Sequence, residues 1–221
     1  FGGGGMLLAF GMVAALLAVK NGAAGQVVDA AMVDGSALLA SMVWQLKGAG
    51  IWDERTGANW LDSGAHFYDT YACADGRFVA FGSIEPQFYA LLRQMLGVAD
   101  DRDFDAQMDR AAWPALKSRV AAIIATRTRA QWCEVMEGTD ICFAPVLSPD
   151  EALDHPHIQA RGTFIDVGGQ SQPAPAPRFS GAPADPPRPP RPAGADARTI
   201  LASIGYDEAR VDALLESGII V

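Results

Sequence analysis

Apolar positions along this chain switch between a helical and an alternating period, and the switches divide it into elements. After Phe1 and four glycines, Met6 to Lys20 is apolar at nearly every position and closes on Asn21-Gly22, which predicts a helix with an ordinary C-terminal stop. Gln26 to Met32 alternates loosely and predicts a strand. From Asp34 to Gly48, Leu38, Leu39, Met42, Val43 and Leu46 gather on one side of a second helix. Helix, strand, helix is the rhythm of an α/β layer. Asp53 to Asp69 is rich in Gly, Asn, Asp and Ser, and its aromatics Trp60, Phe67 and Tyr68 must pack on something. It reads equally as a substrate loop and as a buried Ω-like connection.

A hairpin is expected next, with strands Tyr68 to Cys73 and Arg77 to Phe81 around the turn Ala74-Asp75-Gly76. Pro86 opens a helix to Leu96 through Phe88, Tyr89, Leu91, Leu92 and Leu96. The acidic segment Asp100 to Asp105 reads as a solvated connection, followed by helices from Trp113 to Thr126 and Arg129 to Glu137. Thr128 and Gln131 stand at capping-box spacing before the second of these. Asp140 to Val146 is a short apolar strand, and Ser148-Pro149-Asp150-Glu151 opens another helix. Gln172 to Pro192, proline-rich with Arg178, Arg188 and Arg191 interleaved, should run extended over the surface as an arm. Ala197 to Leu215, broken at Gly205, closes the pattern as an amphipathic helical segment. No internal repeat is visible.

Composition narrows the function classes. Half of the 221 residues are hydrophobic, enough for a sizeable core in one or two domains. A net charge of -9 argues against binding a phosphate backbone, so no nucleic-acid partner is expected. Cys73, Cys133 and Cys142, none in C-x-x-C spacing, fit a reducing cytoplasm. The apolar run from Met6 to Val19 is shorter than the ~20 residues a bilayer span needs and lacks a basic leader, so neither a membrane span nor a targeting segment is expected. A chain that opens directly on a core helix is expected to continue a preceding segment.

The candidate chemistry centres on Gly82 to Tyr89. Glu85 sits at a strand-to-helix junction, where a carboxylate either caps the helix or is held for proton transfer. The glycine run could let a ligand approach free N–H groups or another segment pack closely. Cys142 reads as a small core residue rather than a nucleophile, and His155-Pro156-His157 as a surface loop rather than a metal site.

With these motifs placed, the chain resembles the class III CoA-transferase (CaiB/BaiF) superfamily, in its α-methylacyl-CoA racemase branch. The resemblance rests on Phe1-Gly-Gly-Gly-Gly-Met6, Gly25 to Gly35, Tyr68-Asp-Thr-Tyr71 with Ala74-Asp-Gly-Arg77, Ile84-Glu-Pro-Gln-Phe-Tyr89, Asp140 to Val146 and Pro175 to Ser180. It implies an α/β fold of which this chain is the C-terminal portion: residues 1–68 as a partial large domain and linker, 69–155 as a small mixed α+β domain, and 156–221 as linker, proline-rich arm and return to the large domain. It further implies racemisation of (2R)- and (2S)-2-methylacyl-CoA through an enolate, with Glu85 as half of a His/Glu proton-transfer station. Met32, Leu61, Tyr68 and Ile84 match positions along the acyl chain. CoA arrives with the acyl-CoA substrate, no separate cofactor or metal is implied, and the family assembles as an interlocked homodimer. The family's catalytic His and Asp lie before the matched stretch, so inactivity of this chain alone is expected. The alternatives are a family III CoA-transferase and a non-catalytic remnant that dimerises or binds acyl groups.

Overall fold

The computed structural model describes residues 1–220, Val221 lying outside them. Two compact units divide the chain, Phe1–Val146 and Leu147–Val221.

The first unit opens on a π-helical turn, Gly2–Met6, running directly into α1, Leu7–Lys20. The glycines are therefore helical, and the continuous helix Gly2–Lys20 has 19 residues, long and apolar enough by length and composition to cross a membrane. That corrects the shorter run expected from the sequence. The glycines serve close packing. α2, Met32–Leu39, lies on the glycine turn so tightly that a Cβ on Gly35 would stand 1.7 Å from the carbonyl oxygen of Gly3.

Gln26 to Met32 is not a strand: residues 23–31 have no regular structure, and α2 begins at Met32. A strand exists only where a neighbour completes its ladder, and none of the described strands pairs with this stretch. The single helix expected from Asp34 to Gly48 is two, α2 and α3 (Ser41–Gly48), separated at Ala40.

The hairpin forms as expected, β1 (Tyr68–Ala72) against β2 (Phe78–Gly82), with Tyr68 opposite Gly82. α4 (Pro86–Met95) and α5 (Trp113–Ile124) follow, then α6 (Arg129–Met136), which starts on a complete Thr128/Gln131 capping box. β3 (Phe143–Val146) adds to β2, giving an antiparallel sheet of order β1-β2-β3. Helices and sheet close over one core holding Phe67, Val79, Leu92, Val120, Trp132 and Met136. The acidic connection is less solvated than expected, because a 3-10 turn at Arg102–Phe104 drives Phe104 into that core.

The second unit starts with α7 (Pro149–Asp154), capped by Ser148 as its sequence predicts. Pro156 and His157 are helical, opening α8 (Pro156–Arg161), and His155 is its extended N-cap, so the loop expected there is a helix start. A hairpin not expected from the sequence follows, β4 (Phe164–Val167) with β5 (Gln170–Pro173), turning on Gly168-Gly169, both at positive φ. After the exposed, irregular proline-rich stretch come α9 (Ala197–Ser203) and α10 (Glu208–Glu216), broken around Gly205 as expected.

Candidate functional site

The junction between β2 and α4 is fixed by its backbone and by one buried hydroxyl. Ser83, fully buried, donates its N–H to the carbonyl of Phe67 at 3.1 Å and its Oγ–H to the carbonyl of Ile141. The carbonyls of Ser83 and Ile84 both accept from the carboxamide of Gln107. One residue on, the carbonyl of Glu85 accepts from the N–H of Tyr89 at 2.9 Å, starting α4. Pro86 occupies the first helical turn, where its missing donor is no loss.

Glu85 thus stands at the N-cap with extended backbone, yet its carboxylate makes no capping bond and lies exposed. The contrast with Thr128 and Ser148, whose side chains do cap their helices, is direct. A carboxylate on a rigid base, without a protein partner among the described residues, is free to meet a group from outside the unit.

Its electrostatic neighbour is Cys142. Burial, then the charges of Glu85 and Asp140, push this thiol's pKa up, so it remains protonated. Cys142 is not the core residue its apolar surroundings suggest: it is exposed, with a left-handed backbone (φ 55) whose carbonyl accepts the N–H of Gly82. The raised pKa, with no basic partner among the described residues, leaves it a poor nucleophile.

Two cavities flank this region. One, of about 350 Å³, is lined by Leu61, Tyr68, Gly82 and Cys142, among others. The other, of about 380 Å³, lies between Ile51, Trp60, Ile84, Met108, Arg110 and Trp113. The structure therefore brings Leu61 and Tyr68 together and places Ile84 in a separate, mostly apolar hollow. Met32 lines neither; it is exposed on α2, its side chain against Gly4.

The loop that delivers Leu61 is organised by Asn59, which is fully buried. Its amide donates to the carbonyl of Asp53 and to the carboxylate of Asp62 and accepts the N–H of Asp53, all within 2.9 Å. Burial alone would raise the pKa of Asp62, but the bonds from Asn59 and the backbone N–H groups of Asn59, Gly57 and Ala58 outweigh it and hold the carboxylate ionised. Gly64 passes so near that a Cβ there would lie 2.5 Å from the carbonyl oxygen of Asn59. This is a built connection rather than a slack loop.

His66 is fully buried beside Phe67, Tyr89 and Phe104. Burial lowers its pKa to about 4, so the ring is neutral, and it faces no cavity described above. It is a core residue and not a base within reach of a ligand. Gln107, Ser83 and Asn59 were missed by sequence reasoning because each is an isolated polar residue bonded to backbone elsewhere in the chain. The one available signal was polarity at positions the structure buries or half-buries.

Comparison with known proteins adds an independent line. Residues 1–197 match CoA-transferase family III. The chain is 46% identical over 187 residues to the alpha-methylacyl-CoA racemase of Mus musculus and 43% identical over 187 residues to that of Homo sapiens, in each case covering 84% of this chain and 49% of the relative. Among solved structures, Rv3272 of M. tuberculosis superimposes with a TM-score of 0.67 at 20% identity, covering 88% of this chain and 51% of that one. A CaiB/BaiF family protein from Brucella suis does so with a TM-score of 0.65 at 20% identity, covering 91% and 54%. These matches share the mixed α/β fold. The chain spans about half the length of the curated relatives it matches.

Proposed function

Because the chain belongs to CoA-transferase family III, we propose that it supplies the glutamate-bearing part of an α-methylacyl-CoA racemase, interconverting (2R)- and (2S)-2-methylacyl-CoA. The observation that carries this reading is the Glu85 carboxylate, exposed and uncapping on a junction whose backbone is tied down. A thioester acidifies its own α-C–H; one base removes that proton, and a second acid returns one to the opposite face of the enolate. Glu85 would form one station with a histidine. His66, sealed in the core, does not suit that part. The His and the opposing Asp would come from a segment of the kind that precedes the match in the family, and the chain alone would be inactive.

The rest of the reading follows from chemistry. Leu61, Tyr68 and Ile84 offer apolar lining for a 2-methylacyl chain, and Met32 an exposed flexible thioether surface. The large exposed side chains of α1 to α3, Phe10, Leu16, Leu39 and Trp44 among them, favour obligate association, with an interlocked homodimer as its form. The domain partition at residues 68 and 155 is proposed for that complete assembly, in the cytoplasm.

The test is α-proton exchange. The chain, alone and joined to a family N-terminal half, is incubated with (2R)-2-methylacyl-CoA in deuterated water, and deuterium is followed at C2. Exchange in the joined protein that disappears in Glu85→Gln supports the racemase and the role of Glu85. CoA transfer between carboxylic acids with no deuterium gained at C2 points instead to a CoA-transferase, and undiminished exchange in Glu85→Gln removes Glu85 from the chemistry.

A further inference from the structure

The junction that carries Glu85 is held from a third direction by a residue with no other evident task. Gln107 lies between the 3-10 turn and α5, and its Nε2 is 3.1 Å from the carbonyl oxygen of Ser83 and 2.9 Å from that of Ile84. Both hydrogens of a single NH₂ group are therefore used on the two consecutive carbonyls that precede Glu85. Since both partners can only accept, the orientation of the carboxamide follows from chemistry. Gln107 is itself anchored: the indole Nε1 of Trp113, a core residue, donates to its carbonyl at 2.8 Å.

The other bonds leave this task open. The N–H and hydroxyl of Ser83 tie down the start of the junction. The N–H of Ile84 reaches back to the carbonyl of Gly82 at 2.9 Å, a local turn that fixes nothing relative to the core. Gln107 supplies the long-range tie at Ile84, one peptide unit before the catalytic candidate. The same segment walls the cavity beside Ile84 through Met108 and Arg110.

We propose that Gln107 is a positioning residue for the Glu85 carboxylate. It sets the orientation of the peptide on which Glu85 is carried, and with it the distance of the carboxylate from the carbon that exchanges its proton. This rests on the reading of Glu85 as a proton-transfer group. Misplacing such a group by about 1 Å costs on the order of 10²-fold in rate while leaving binding groups elsewhere untouched.

The exchange assay on the joined protein tests it with two same-length variants, Gln107→Met, which has no donor, and Gln107→Glu, which presents an acceptor to two acceptors. Both are expected to lower kcat for exchange about 10- to 100-fold, with KM for the acyl-CoA changed less than about threefold. A role in filling space alone would leave Gln107→Met near wild type. Trp113→Phe keeps an aromatic ring in the core but releases the carbonyl of Gln107; it should lower kcat about three- to tenfold, and it carries the test should neither variant at 107 fold. An active wild type whose kcat survives these substitutions within threefold, or loses only KM, overturns the proposal alone. A joined wild-type protein without exchange overturns the reading of Glu85 and this proposal with it.

Discussion

The Nε2 of His66 lies 2.7 Å from the phenol oxygen of Tyr89, whose own hydrogen goes to the carbonyl of Phe104 at 3.0 Å. The tautomer is thereby set: Nε2 carries the proton, and Nδ1 is left buried without a partner among the described residues. Burial raises Tyr89 to about 12 and lowers His66 to about 4, so both groups are neutral in the folded state.

This predicts acid sensitivity. The folded pKa of His66 lies below its ordinary value of 6.5, so between the two the unfolded chain binds more protons and stability falls as the pH is lowered. The stabilisation is complete above pH 6.5, is lost progressively toward pH 4, and amounts to roughly 3 kcal/mol. Urea unfolding across that range should show the slope, and His66→Gln should flatten it. An unchanged slope in the variant would assign the acid loss to the carboxylates instead.

Gly35→Ala should be among the most damaging single-methyl changes in the chain. Its Cβ would overlap the carbonyl of Gly3, which is backbone and cannot swing aside. Overpacking of this sort costs about 3 kcal/mol or more. Thermal unfolding followed by circular dichroism should register it, and wild-type behaviour would mean that α2 can lift from the glycine turn without penalty.

Asn59→Ala removes a buried amide and strands the N–H and carbonyl of Asp53 that it satisfied. The expected cost is about 2–4 kcal/mol, concentrated in the loop. Arg55 lies in that loop, exposed and bonded only to its neighbour Asp53 among the described residues. Trypsin should therefore cut after Arg55 markedly faster in the variant, and equal rates would show that Gly64 and Asp62 suffice to hold the loop.

Glu85→Gln should leave unfolding free energy within about 0.5 kcal/mol of wild type, because the side chain makes no capping bond. Thr128→Ala, by contrast, should cost about 1 kcal/mol through its lost capping box. Equal losses in the two variants would show Glu85 to be a cap after all.

What the sequence disclosed follows the range of the forces involved. Caps at Thr128 and Ser148, the turn at Asp75-Gly76 and the break at Gly205 depend on a few adjacent residues, and each appears where its local pattern puts it. The strand expected over Gln26 to Met32 needed a ladder partner, which no local pattern can guarantee. The β4–β5 hairpin has a readable signal in Gly168-Gly169 after the apolar and β-branched residues of Phe164 to Val167, set beside the stronger proline-rich pattern. Of the residues expected along the acyl chain, Leu61 and Tyr68 meet because β1 begins where the Asn59 loop ends. Gln107, whose significance is entirely in two distant carbonyls, has no sequence signature at all.

The irregular stretch from Ala24 to Ala31 has one more implication. No backbone N–H over these residues finds a main-chain acceptor among the described residues, and Val27 is almost completely exposed. Water serves those donors only until a matching row of carbonyls arrives. Such unpaired donors make concentration a controlling variable in a preparation, since carbonyls of a second chain meet them at a rate that rises with encounter frequency. Dilute samples should stay dispersed at temperatures where concentrated ones thicken, and a proline at Val27 or Ala30 would be the simplest way to keep them apart.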